Sequence, residues 1–64
     1  MWTVVYLAQS NDVAERLQAG LIEGGLLVSI RTVESGAGSE DYFEIMVPEH
    51  EVEKAHNIII EKNL

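Results

Sequence analysis

Cysteine is absent from the 64 residues, proline occurs once, at Pro48, and the cations number four: Arg16, Arg31, Lys54 and Lys62. Each shortage excludes something. Without cysteine there is no disulfide to brace the fold and no thiol nucleophile, and a reducing compartment is a natural setting. A chain of this length buries only about 60% of the surface its unfolded form exposes, so self-association or a structural metal remains as an added source of stability. Eleven acids against four cations give a formal net charge of -7, which excludes partners held by clustered Lys and Arg. Nucleic acid and anionic membrane are therefore not expected partners. No apolar run approaches the ~20 residues that span a bilayer. The first residues, Met1, Trp2, Thr3, Val4 and Val5, lack the basic region of a signal peptide, so a cytoplasmic location is expected.

What is present reads as alternating strands and amphipathic helices. Residues 42–48 alternate with a period of two, placing Phe43, Ile45 and Val47 on one face and Tyr42, Glu44 and Met46 on the other. Pro48 ends that strand because it has no amide proton for the ladder. Residues 2–8 are β-branched and aromatic, with Trp2, Val4, Tyr6 and Ala8 expected on one face and Thr3, Val5 and Leu7 on the other. Ser10 then reads as a helix N-cap, with Asp12 and Glu15 offering a competing capping register. Val13, Leu17 and Leu21, flanked by Ala14 and Ile22, form the apolar stripe of a helix that Gly24 and Gly25 terminate. A second strand is predicted over 26–33. A second helix is predicted from about His50, with Val52, Ala55, His56 and Ile59 on one face and His50 with Glu53 in the positions of a weak capping box.

The element order is strand, helix, strand, strand, helix. A right-handed crossover makes strands one and two parallel, and strand three fills the gap antiparallel to both. The expected fold is α+β, a ferredoxin-like βαββα single domain over 1–64, with a three-stranded antiparallel sheet in the order 1-3-2 and both helices on one face. Strand one is then an apolar edge, and the other sheet face has no cover. Trp2, Val4, Val5 and Tyr6 are candidate contact residues for that reason. Ile58 and Ile60, which fall off the centre of the second helix's stripe, are expected to extend the contact.

The segments "VVYLAQS", "AERLQAGLIEGGLLVSIR" and "YFEIMVPEHEVEKAHNIIIE" resemble a family of small prokaryotic signal-transducing domains that look like truncated relatives of the PII-type nitrogen regulators. The resemblance spans nearly the whole chain, and its motifs bear on the fold more than on any activity. It implies a regulatory module in which the connector between the second and third strands meets a partner. Here that connector is 34–41, with Glu34, Gly36, Gly38 and Asp41 as its candidate contacts. It is acidic and has no basic residue.

Catalytic and cofactor motifs find little footing. Glu53 and His56 have the Glu-x-x-His spacing of carboxylate metal sites, but such sites gather ligands from four helices and this chain has two. Packing or capping is the simpler role for His56. The glycines of 34–41 are surrounded by acids, the wrong charge for an anion nest, and do not match a calcium loop. The serines sit in no elbow or triad. A pyridoxal-phosphate enzyme needs a lysine deep in a pocket with phosphate ligands, and 64 residues leave no room for one. The expectation is a non-enzymatic regulatory or protein-interaction module without cofactor, acting as a homodimer or higher homo-oligomer. The alternative is a small-molecule sensor with its ligand between subunits or under 34–41.

Overall fold

The computed structural model describes residues 1–34, 36 and 41–64. Three strands, β1 (Trp2–Ala8), β2 (Ser29–Val33) and β3 (Tyr42–Pro48), form one antiparallel sheet in the order β1-β3-β2. Helices α1 (Asn11–Glu23) and α2 (Val52–Glu61) complete the ferredoxin-like βαββα order, with a single 3-10 turn, Glu49–Glu51, leading into α2. No helix among the described residues is long and apolar enough to cross a membrane.

The core lies between the helices and one face of the sheet. Leu17, Leu21, Ile45 and Val47 are its largest fully buried side chains, joined by Ala8, Ala14, Leu26, Ala55 and Ile58. Ile45 and Val47 are enclosed as their alternation predicts, whereas Phe43, the second residue of β3, packs against the core only half-buried.

Both helices end in the same way. After α1 the Leu26 amide donates to the Leu21 carbonyl (3.1 Å) and the Gly25 amide to the Ile22 carbonyl (2.9 Å), with Gly25 at φ 89°. After α2 the Leu64 amide donates to the Ile59 carbonyl (3.0 Å) and the Asn63 amide to the Ile60 carbonyl (3.2 Å), with Asn63 at φ 56°. These paired bonds around a left-handed residue are Schellman motifs, which satisfy carbonyls that a helix end otherwise leaves open. The first motif explains why β2 starts at Ser29 and not at residue 26. Leu26 is occupied with its bond to Leu21 and its burial in the core, so the chain becomes free to pair only later. At the other end of α1, the Ser10 hydroxyl accepts from the Val13 amide (3.2 Å), so Ser10 is the cap and the Asp12 register is not used.

Two glycines let the helices approach. A Cβ at Gly24 would stand 2.5 Å from Ile58 Cδ1, and one at Gly20 would stand 2.7 Å from Leu64 Cδ1. Ile58 thus packs into the end of α1, which corrects the expectation that it faces outward. The buried stripe of α2 runs through Val52, Ala55, Ile58 and Ile59, and His56 is turned into solvent. Neither Pro48 nor Glu51 makes a side-chain cap bond, so the His50–Glu53 box does not form. The chain is instead held there by the Glu49 amide, which donates to the Met1 carbonyl (2.8 Å). Ile22 also leaves the stripe expected of it and is exposed.

Candidate interaction surface

Strand pairing assigns every strand residue to a face, since residues directly opposite each other point the same way. Between β1 and β3, Trp2 stands opposite Pro48, Thr3 opposite Val47 and Val4 opposite Met46. The register then shifts, so that Tyr6 stands opposite Ile45, Leu7 opposite Glu44 and Ala8 opposite Phe43. Val5 is left over as the extra residue of a β-bulge. The bulge changes the phase of the strand. Before it the even residues Trp2 and Val4 face away from the helices, and after it the odd residue Leu7 does so, while Ala8 enters the core at 1% exposure.

This corrects the unbroken alternation expected for β1. Val5, proposed as a contact residue, packs against the core. Leu7, expected on the opposite face from Trp2 and Val4, joins them. Apolar residues on both faces conceal such a phase change in the sequence, because neither phase produces a buried charge or an exposed polar row.

The helix-free face therefore presents Trp2, Val4 and Leu7 from β1, at 49%, 40% and 55% exposure. Tyr42, Glu44, Met46 and Pro48 of β3, all half-buried, form its centre, and Ser29, Arg31 and Val33 of β2 form its far side. Its polarity is graded across the strands. The β1 side is apolar, while on the β2 side Arg31 and Glu44, directly opposite in register, form an ion pair in which the Arg31 Nε donates to Glu44 Oε1 at 2.7 Å. The Glu44 side chain is 15% exposed and that of Arg31 65%. This pair was not singled out as part of a surface in the sequence, although opposite charges at facing strand positions are the signal that identifies it.

No family model, curated protein or solved structure matches the chain.

The other candidate residues are dispersed. Tyr6, expected on the face of Trp2 and Val4, stands opposite Ile45 and so turns to the helix side of the sheet after the bulge, where it is 37% exposed. Glu34, Gly36 and Asp41 are exposed, with Gly36 at φ 89°, and Gly38 lies outside the described residues. Ile60 is 75% exposed on the solvent side of α2, separated from the buried Ile58. Glu53 and His56 are both exposed, and no group of three or more potential metal ligands occurs among the described residues.

Proposed function

We propose that this protein is a small regulatory or protein-interaction module that works as a homo-oligomer through the helix-free face of its sheet. The observation that carries the reading is the exposure of Trp2, Val4 and Leu7 side by side on that face. Apolar side chains gathered on one uncovered sheet face mark a contact surface, whereas the same residues scattered singly need no explanation. The resemblance to signal-transducing domains of PII-like type adds support for a regulatory role.

The size of the chain gives association a second benefit. A partner that binds only the folded state raises the melting temperature by mass action, which matters in a domain without disulfides. Thermal melts over a concentration series, with sedimentation at the same concentrations, test the reading. A melting temperature that rises with protein concentration together with a growing mass supports it. A constant melting temperature and a monomer mass at every concentration refute it.

A further inference from the structure

We infer that the occupant of the helix-free face is a second copy of this chain, stacked sheet against sheet about a two-fold axis, with the β1 edges outside the contact. The inference rests on the homo-oligomer reading and specifies its geometry.

Charge selects the face. Glu44 is the only acid in the three strands and Arg31 the only cation, and the two are paired. Asp12, Glu15 and Glu23 lie on α1, Glu49 and Glu51 on the 3-10 turn, and Glu53 and Glu61 on α2. Glu34 and Asp41 lie just past the ends of β2 and β3, so within the strands themselves two chains that each carry a net charge of -7 can meet without opposing unpaired carboxylates. A basic partner would be drawn to the helix side instead.

The bulge disfavours the other route. Bulges twist an edge strand away from flat, extended pairing and are a recognised guard against edge-to-edge association. Val5 places one in the middle of β1, while the opposite edge, β2, is only five residues long.

The graded polarity suits a two-fold contact, in which each copy offers the same patch. Overlaying the apolar β1 sides leaves each Arg31 at the rim, where its exposed guanidinium stays hydrated. Aligned stacking of two sheets is a standard solution for covering inner faces.

Size sets the strength. Strands of seven, five and seven residues, ~4.8 Å apart and rising ~3.3 Å per residue, give a footprint on the order of 300 Å². Even allowing for side-chain relief this falls below the ~800 Å² per partner of a standard stable interface. The dimer is accordingly a dissociating one, sensitive to concentration.

Trp2 is the single tryptophan, and its place on the face makes it the reporter. Sedimentation and Trp2 emission are followed from about 1 to about 500 μM, a range chosen to span dissociation by mass action, in the natural chain and in Leu7→Lys. Val4→Lys serves as a second face variant should Leu7→Lys fail to fold by circular dichroism. Hydrogen exchange of the β1 amides is measured at both ends of the range. The expected result is a mass that doubles as Trp2 emission shifts to the blue, loss of both changes in the lysine variant, and edge amides that exchange alike at both concentrations. A dimer that protects the edge amides, leaves Trp2 emission unmoved or persists in the lysine variant overturns sheet stacking while leaving self-association intact. A monomer throughout overturns the inference and the homo-oligomer reading together.

Discussion

Val5→Lys and Leu7→Lys form a matched pair that tests the bulge directly. In an unbroken strand the two odd positions share a face and respond alike. In the observed register Val5 packs against the core and Leu7 is 55% exposed on the open face. Replacing Val5 forfeits part of the ~1.5 to 3 kcal/mol that burying a valine contributes, and an ammonium group must either be desolvated or bend its stem around the edge to reach water. We expect a loss of roughly 2 to 3 kcal/mol, large against the ~3 to 10 kcal/mol available to a domain of this length. At about 4 to 8 °C per kcal/mol for a chain of this size, Val5→Lys lowers the melting temperature by at least about 8 °C. Leu7→Lys, as an exposed substitution, stays within about 0.5 kcal/mol of the parent. Both are measured by thermal circular dichroism at low micromolar concentration, where self-association contributes least. Equal losses at the two positions would refute the bulge and restore simple alternation.

Ile58→Ala should cost about 2 to 4 kcal/mol by opening a cavity, while Ile60→Ala, two residues on and exposed, changes denaturant stability by no more than ~0.5 kcal/mol. Asn63→Ala places an ordinary side chain at φ 56° and should cost about 1 kcal/mol, whereas Asn63→Gly is neutral or slightly stabilising in the same melts. Gly24→Ala crowds Ile58 Cδ1 and is expected to cost about 1 to 3 kcal/mol; combining it with Ile58→Val, which removes that methyl, should recover part of the loss, and strictly additive costs would exclude the contact. Because the charge of -7 opposes assembly, raising salt from ~10 to ~150 mM should strengthen the dimer seen in sedimentation, and weakening would point to attraction between unlike charges at its interface.

The elements were legible because their signals are local. The period of two around Ile45 and Val47, Pro48 as terminator, the Ser10 cap and the glycines after α1 each act within a few residues, and the element order then limits how three strands can pair. The departures come from tertiary contacts. Ile58 enters the core because Gly24 offers it space, so the stripe of α2 rotates away from His56, and no periodicity in α2 alone encodes what faces it. The start of β2 is delayed by Leu26, whose bond to Leu21 belongs to the end of α1. The bulge at Val5 left no trace because β1 is apolar in either phase. Of the surface candidates, Trp2 and Val4 share a face as expected, whereas Tyr6 leaves it for the helix side, Val5 and Ile58 pack inward and Leu7 takes a place not assigned to it.

Edge and face have separate consequences for how this chain meets others. A strand such as β1, apolar throughout and without an inward charge, is a template for uncontrolled pairing when its backbone groups stand open and flat. Lysine on that edge would deter pairing, but a charge on the open face would also repel or dehydrate in any stacked contact. The bulge deters edge pairing through backbone geometry and leaves the side chains unaltered. It also turns Leu7 to the side of Trp2 and Val4, so the same extra residue that disrupts the edge enlarges the apolar face. Removing Val5 should therefore do more than shorten a strand. It would leave Leu7 opposite Glu44 on the open face while regularising and flattening the edge, adding open-ended edge pairing to the limited face-to-face association. Light scattering on the deletion variant tests this: the argument requires aggregates that grow with time, and a stable monomer or dimer would break the link between the bulge and edge protection.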